Sequence, residues 1–185
     1  SARLKLITQC LFEWQLHTMA RPAEAAGAAW SEIDFDNRVW NIPAERMKKR
    51  KPQAIPLTPQ ALALLEYLKP ISGHRDFIFP SDNNPRTHLS PETLGAPLRR
   101  MGLQGKQTAH GLRALASTTL NAQGFDSDLI EAALAHVDKN QVRAAYNRTD
   151  YLERRRKMMC WWSDHIEAAS KGDYSVTGSL HLKVV

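Results

Sequence analysis

The chain has 185 residues, of which 43% are hydrophobic and 24% are charged. This length and composition suit one soluble domain with a well-buried core, and no apolar run approaches the ~20 residues that cross a bilayer. Cys10 and Cys160 lie far apart and no cysteine–histidine cluster has zinc-ligand spacing, so we expect two reduced thiols rather than a disulfide. The net charge of +6 favours a polyanionic partner, although many basic proteins have none.

The first third of the chain predicts two helices and then a small sheet. Apolar residues recur at helical spacing over residues 3–19, and Pro22 suits the first turn of a helix over residues 23–30. β-Branched and aromatic residues then flank the turn pair Asp36-Asn37, which predicts a hairpin over residues 33–42. A third strand is expected over residues 53–57, after the basic run 46–51.

The rest of the chain is mainly helical. Thr58-Pro59 combines a helix cap with a first-turn proline, and residues 70–89 are expected to form a loop apart from a short apolar stretch. Further helices are expected from Ser90-Pro91 to near Gly102, over residues 108–122, from Asp126 to about His136, and over residues 140–148 and 150–168. The basic run 154–157 fits a solvated face as well as a binding surface. The fold class is therefore mainly α with a small antiparallel β-sheet (α+β).

His110 and Arg113 stand three residues apart at the start of a predicted helix. Residues at this spacing share a face, and the free N–H groups of a helix N-terminus favour an anion such as phosphate. By itself such a pair is more often a capping histidine beside a surface arginine. Arg21, Lys48, His136 and Tyr146 also have ordinary structural explanations when each is taken alone.

Taken together in chain order, these residues resemble the pattern of the tyrosine recombinases, and specifically of integrases from satellite prophages and genomic islands. That pattern is an Arg-x-x-Glu box, a lysine in a β-hairpin, a His-x-x-Arg pair that opens a helix, a second histidine, and then a tyrosine. The resemblance covers roughly residues 5–168. The matching residues here are Arg21 with Glu24, Lys48, His110 with Arg113, His136, and Tyr146.

The sequence departs from the family pattern in two places. Ala135 stands where many relatives carry glycine, and the interval from His136 to Tyr146 is one residue longer than is common. The longer interval leaves Tyr151 as a second candidate nucleophile. Lys49 and Lys51 lie close to the expected lysine, but counting back along the hairpin favours Lys48.

The resemblance implies an enzyme that cuts and rejoins DNA without hydrolysis. By resemblance, Tyr146 attacks the scissile phosphate to form a 3′-phosphotyrosine, and Arg21 and Arg113 hold the phosphate oxygens. His110 helps to accept the tyrosine proton, Lys48 protonates the leaving 5′-oxygen, and His136 hydrogen-bonds the phosphate. Glu24 supports its neighbours. Neither a metal nor a nucleotide cofactor is implied, and the residues expected to contact the DNA backbone are Arg46, Lys49, Arg50 and Lys51.

The resemblance also implies a domain organisation and partners. Residues 1–169 are expected to be the catalytic domain, and residues 170–185 to be a tail that is either a strand exchanged with a neighbouring protomer or a disordered end. The sequence does not begin with methionine, so we expect a fragment or a processed product. The resemblance implies that N-terminal DNA-binding domains supply much of the family's grip on DNA, and without them we expect this fragment to bind DNA weakly by itself. The expected partners are double-stranded attachment-site DNA and other protomers in a homotetramer, in the bacterial cytoplasm.

Two other functions remain open from the sequence. A type IB topoisomerase-like enzyme uses similar residues but relaxes supercoiled DNA as a monomer. A non-catalytic DNA-binding module with a degenerate site would form no covalent bond to DNA. The presence of Tyr146, Arg21 and Arg113 together argues against the second alternative.

Overall fold

The computed structural model describes residues 2–84, 86–136 and 148–171. These residues form a mainly helical domain with a three-stranded antiparallel sheet, so the predicted fold class is confirmed. The strands are β1 (Ile33–Asp34), β2 (Val39–Ile42) and β3 (Gln53–Pro56). The helices are α1 (Ala2–Thr18), α2 (Pro22–Ala26), α3 (Pro59–Ser72), α4 (Gly95–Arg100), α5 (Gly111–Ala122), α6 (Ser127–Ala133) and α7 (Arg148–Ser170).

The sheet has the order β1-β2-β3, and both pairings are antiparallel. In β2, Val39, Trp40 and Ile42 are buried while Asn41 is exposed, the alternation expected of a sheet with one face on a core. The β1–β2 turn is closed by Asp34, whose carboxylate accepts a hydrogen bond from the Asn37 amide N–H at 2.9 Å. The predicted sheet over residues 33–57 is therefore present.

The core lies where α1 meets the sheet and the longer helices. Trp14 of α1 is fully buried, and its ring packs against Trp40 of β2 at a centroid distance of 5.0 Å and against Phe79 at 6.2 Å. α7 adds Met159 and Trp162 from another side. Aromatic side chains bury the most apolar area per residue, so this cluster fixes α1 and, with it, the chain that follows α1.

Two helix ends differ from the prediction. α2 ends at Ala26 rather than residue 30, and a 3₁₀ turn over Trp30–Glu32 leads into β1. α3 continues past Pro70 to Ser72, because the Ser72 hydroxyl is buried and donates to the carbonyl of Ile78 at 2.8 Å. This attachment stabilises the last turn in spite of the proline.

The helices around the candidate site are shorter than predicted. α5 begins at Gly111 with His110 as its N-cap, and the Thr108 hydroxyl accepts the Gly111 amide N–H at 2.9 Å in the turn that leads into it. α6 ends at Ala133 because Ala135 adopts a left-handed conformation (φ 51°) and His136 N–H donates back to the carbonyl of Glu131. This C-terminal motif usually has glycine at the left-handed position.

Two arginines of the basic run 154–157 are bound within the protein. Arg155 is 8% exposed and donates to the carbonyls of Ala54 and Ala132, so it ties α7 to β3 and to the end of α6. Arg156 donates to the carbonyls of Arg38 and Asn37 in the β1–β2 turn. The solvated-face interpretation therefore does not describe these two residues.

Cys10 is buried, Cys160 is partly exposed, and both are free thiols. Among the described residues, no helix combines the length and apolar character that crossing a bilayer requires. The predicted strand at the end of the chain and all but the last residue of the predicted helix 140–148 lie outside the described residues.

Candidate active site

Arg21 lies in extended backbone at the N-cap of α2, between α1 and α2. Its Nη1 donates to Oε1 of Glu24 at 2.8 Å, and its own amide N–H donates to Oε2 of the same carboxylate at 3.0 Å. Glu24 is only 3% exposed. The short spacing of the Arg-x-x-Glu box thus lets one buried carboxylate hold both the backbone and the guanidinium of Arg21.

Arg113 lies in the first turn of α5 and is 5% exposed. Its Nη1 donates to the carbonyl oxygen of Met19 at 2.6 Å, and its Nη2 donates to that of Leu134. Both acceptors belong to helix C-termini, because Met19 follows α1 and Leu134 caps α6. The negative ends of two helix dipoles therefore offset part of the cost of burying this cation.

The two arginines converge on the C-terminus of α6. Nη2 of Arg21 donates to the carbonyl oxygen of Ala135 at 3.3 Å, and the neighbouring Leu134 carbonyl is the one that Arg113 binds. Burial, and secondarily the like charge of Arg21, lower the pKa of Arg113 to about 10, while Glu24 acts in the opposite direction. Arg113 is still charged at neutral pH, so two cations are held side by side.

A cleft of about 280 Å³ lies beside Arg113. His110, the N-cap of α5, is exposed at one part of it, and His136, just after α6, lies at another. Nδ1 of His136 is 2.8 Å from Oε2 of Glu131, so Nε2 is the ring nitrogen that we expect to serve a ligand. The cleft is lined by His110, Arg113, Ala114, Ser117, Thr118, Leu134 and His136.

Lys48 is exposed in the turn between β2 and β3. Met47 beside it is buried, while Lys49, Arg50 and Lys51 are exposed like Lys48. The first residue of this basic turn is therefore buried, and the residues that follow face solvent. Lys48 does not line the cleft that His110, Arg113 and His136 share.

Arg46 differs from the other cations of the basic run. Its Nε lies 3.1 Å from Oε1 of Glu32, and its Nη2 donates to the carbonyl oxygen of Glu24 at 2.9 Å. Burial lowers the pKa of Arg46, and the carboxylates of Glu32 and Glu24 oppose that effect. The guanidinium of Arg46 is therefore bound within the protein, and its expected contact with the DNA backbone stays a prediction.

Tyr146 lies outside the described residues. Tyr151, the second candidate nucleophile, is half-buried on α7, and the Arg154 guanidinium stands 5.7 Å from the centre of its ring. Arg21, Glu24, His110, Arg113 and His136 are thus brought together, while the position of Tyr146 relative to them stays a prediction.

The sequence did not reveal the groups that hold the arginines. They are backbone carbonyls, which every residue carries, so no residue type marks them. Gln53 was also missed: its Nε2 donates to the carbonyl oxygen of Ala133 at 3.2 Å, next to the carbonyls that bind Arg21 and Arg113. The one available signal was the position of Ala135, where glycine is common in relatives and where the structure has a positive φ.

The donors of this site suit an anion rather than a cation. Guanidinium groups, imidazoles and the N-terminus of α5 all offer N–H groups or positive charge. Among the described residues, no group of three or more histidine, cysteine or acidic side chains is arranged to hold a metal ion.

Comparison with known proteins agrees with the sequence pattern. A family model described as the phage integrase family matches residues 1–153. Prophage integrase IntA of Escherichia coli strain K12 is 53% identical over 185 residues, which are 100% of this chain and 45% of that protein. The integrase of Enterobacteria phage P4 is 36% identical over 181 residues, covering 89% of this chain and 41% of that protein. The chain thus spans less than half the length of these curated relatives.

Solved structures share the fold. The integrase from mycobacterium phage Brujita superposes with a TM-score of 0.65 at 20% identity, over 83% of this chain and 50% of that one. XerA recombinase superposes with a TM-score of 0.52 at 16% identity, over 91% of this chain and 64% of that one. At these identities the likeness concerns the fold, and it agrees with the architecture expected from the sequence.

Proposed function

The chain belongs to the phage integrase family, and from this membership we propose that residues 1–169 form the catalytic domain of a site-specific DNA recombinase. The reaction is strand cleavage and rejoining through a 3′-phosphotyrosine, which integrates or excises a mobile element. The observation that carries the proposal is that Arg21 and Arg113 bind neighbouring carbonyl oxygens beside a cleft with two histidines.

The arginine pair suits the transition state of phosphoryl transfer. Negative charge gathers on the non-bridging oxygens of the phosphate as a fifth oxygen bonds to phosphorus. Arginine presents planar, forked donors that stay charged, and here Glu24, Met19, Leu134 and Ala135 hold those donors before DNA arrives. Preorganised donors of this kind need little rearrangement during the reaction, and that is the source of most electrostatic rate acceleration.

The remaining roles follow from proton balance. The Tyr146 hydroxyl bonds to phosphorus and loses its proton, which His110 helps to accept, while the bond to the 5′-oxygen breaks and Lys48 supplies a proton to that oxygen. His136 hydrogen-bonds the phosphate. In the second step, the 5′-hydroxyl of another strand attacks the phosphotyrosine, and the proton transfers run in reverse.

The surroundings of the site suggest how DNA is held. Lys49, Arg50 and Lys51 project from the basic turn into solvent, where they can contact the phosphate backbone. Such contacts strengthen binding at low salt but do not select a sequence. We propose that sequence recognition depends on N-terminal DNA-binding domains of the whole protein. We also propose that a homotetramer assembles on attachment-site DNA in the bacterial cytoplasm and that neighbouring protomers exchange residues 170–185 as a strand.

Covalent trapping tests the proposal. The probe is a pool of nicked duplexes with randomised sequence, in which the short strand beyond the cut diffuses away and prevents rejoining. We expect a protein–DNA adduct that survives denaturation, and none with Tyr146→Phe. Failure to form any adduct, or an undiminished adduct with Tyr146→Phe, contradicts the proposal.

Product analysis separates a recombinase from a topoisomerase-like enzyme. A duplex sequence recovered from the trapped adducts is placed in two copies on a supercoiled plasmid, and this plasmid should yield recombinant molecules. Relaxed circles without recombinants would assign the chain to the topoisomerase-like alternative.

A further inference from the structure

The turn that carries Lys48, residues 47–52, is attached to the domain at both ends by side chains that bind backbone carbonyls. Arg46 comes directly before the turn and Gln53 directly after it. Each of these side chains reaches an element that also holds a catalytic arginine. The turn therefore has a defined place relative to Arg21 and Arg113.

The attachment at Arg46 leads to the Arg21–Glu24 box. Nη2 and Nη1 of Arg46 donate to the carbonyl oxygen of Glu24 at 2.9 and 3.4 Å. The side chain of that same Glu24 holds Arg21. A third contact, from Nε to Glu32 at 3.1 Å, fixes the plane of the Arg46 guanidinium.

The groups around the Arg46 guanidinium leave little free space. Glu32 is itself held, since its Oε2 accepts the indole N–H of Trp40 at 2.8 Å. A Cβ at Gly27 would lie 3.2 Å from Nη2 of Arg46, so the absence of a side chain there leaves room for the guanidinium. The Arg46 guanidinium is thus held by contacts within the protein, although the residue borders an exposed basic turn.

The attachment at Gln53 leads to the C-terminus of α6. Nε2 of Gln53 donates to the carbonyl oxygen of Ala133 at 3.2 Å and to that of Ala132 at 3.4 Å. The next two carbonyls along the chain, those of Leu134 and Ala135, bind Arg113 and Arg21. Four consecutive carbonyls therefore connect the end of the turn to the arginine pair.

Within the turn, Met47 is buried, while Lys48 and the residues after it up to Pro52 are exposed. A general acid must lie within hydrogen-bond distance of the oxygen that it protonates, and small displacements reduce its effect sharply. The place of the Lys48 ammonium thus depends on what holds the two ends of the turn.

We propose that Arg46 and Gln53 are positioning residues that hold Lys48 at the leaving 5′-oxygen of a phosphate bound by Arg21 and Arg113. This inference rests on the proposed function. It gives Arg46 a contact within the protein in place of the DNA backbone, and it gives Gln53 a role that its residue type did not indicate.

The decisive experiment compares two leaving groups with the variant Arg46→Gln. One trapped duplex has the ordinary 5′-oxygen at the cut, and the other has a bridging 5′-sulfur. A thiol ionises near pH 8.5, far below an alcohol, so sulfur leaves as a thiolate without a proton from Lys48. We expect Arg46→Gln to cleave the oxygen substrate about 10- to 100-fold more slowly than the unmodified chain. The two proteins should cleave the sulfur substrate at nearly equal rates.

Gln53→Ala provides a second variant. We expect it to slow cleavage of the oxygen substrate less than Arg46→Gln does, and to cleave the sulfur substrate at nearly the rate of the unmodified chain. Arg156→Gln is the matched control, because Arg156 also donates to two backbone carbonyls of a β-turn and has a similar exposure of 21%. It should leave both cleavage rates unchanged. A defect of Arg46→Gln that persists on the sulfur substrate would overturn the proposal, since Arg46 would then act on the phosphate grip or on the fold.

Two further results distinguish positioning from a contact to DNA. Arg46→Lys keeps the charge but cannot serve Glu24 and Glu32 with a forked head, so we expect it to recover little of the lost rate. Arg46→Gln should leave the salt dependence of DNA binding unchanged, whereas loss of a phosphate contact lowers its slope by about one. Full recovery by lysine or a lowered slope contradicts the proposal. If the unmodified chain forms no adduct, the proposed function fails. If the unmodified chain forms the adduct and the variants cleave the oxygen substrate equally fast, this inference alone fails.

Discussion

Arg21 and Arg113 donate to carbonyl oxygens of consecutive residues, Ala135 and Leu134, at the end of α6. The two arginines are 92 positions apart in the sequence (113 − 21), and they lie at the beginnings of two different helices, α2 and α5. The helix C-terminus supplies partial negative charge that keeps the two cations together. A phosphate that enters beside them meets donors already fixed in place.

The first prediction concerns unequal consequences of the same substitution at the two arginines. Arg113→Lys and Arg21→Lys should each slow adduct formation by about 10²- to 10³-fold, the usual effect of losing one preorganised donor. Arg113→Lys should also lower the free energy of unfolding by about 1–3 kcal/mol, because a buried carbonyl of Met19 or Leu134 loses its partner. Arg21→Lys should lower the free energy of unfolding by less, because 15% of the Arg21 side chain is exposed.

Single-turnover cleavage and urea unfolding measure these two effects separately. Equal loss of stability in both variants, or a cleavage rate that stays close to that of the unmodified chain, would contradict the arrangement described for the pair.

The second prediction concerns acid stability and His17. The residue is 7% exposed, its Nδ1 is 2.9 Å from Oγ of Ser163, and burial lowers its pKa to about 4, against a smaller opposing effect of Glu167. A folded-state pKa below the ordinary 6.5 means that the unfolded chain binds the proton more readily. The stability is therefore complete above pH 6.5 and is lost as the pH falls towards 4, by about 3 kcal/mol.

Urea unfolding at several pH values between 7 and 4 checks this dependence. His17→Gln has no such proton to bind, so its free energy of unfolding should fall less steeply over the same range. Parallel pH profiles for the two proteins would show that burial of His17 is not the cause.

The third prediction compares two neighbouring arginines of α7. Arg155 is buried, and burial lowers its pKa to about 10; Arg155→Ala should cost about 2–4 kcal/mol because the carbonyls of Ala54 and Ala132 lose their donor and packing is lost. Arg154 forms an exposed ion pair with Asp126, so Arg154→Ala should cost less than about 1 kcal/mol. Thermal or urea unfolding of both variants gives the comparison, and similar losses would contradict the structural role of Arg155.

Much of the fold was predictable because its signals are local. The Thr58 cap, the Asp36-Asn37 turn and the apolar spacing of α1 each involve residues within a few positions of one another. Helix ends were less predictable: α3 continues past Pro70, and the Ser72 hydroxyl there bonds to the backbone carbonyl of Ile78, a group that every residue carries and that no residue type marks.

The candidate site divides in the same way. Its charged residues could be identified from their types and order, because phosphate chemistry needs arginine and histidine. Their supports could not, since the carbonyls of Met19 and Leu134 have no residue signature. The internal contacts of Arg46 could not be predicted for a related reason: its neighbours Lys48 and Lys49 are exposed, while its own partners, Glu24 and Glu32, lie far back in the sequence.

The most direct test of the account identifies the residue that becomes linked to DNA. The adduct formed by the unmodified chain is digested with a protease, and the peptide that carries the nucleotide is sequenced by mass spectrometry. The account predicts linkage through the oxygen of Tyr146. Linkage at Tyr151, or at any other side chain, would contradict the claim that Tyr146 attacks a phosphate held by Arg21 and Arg113.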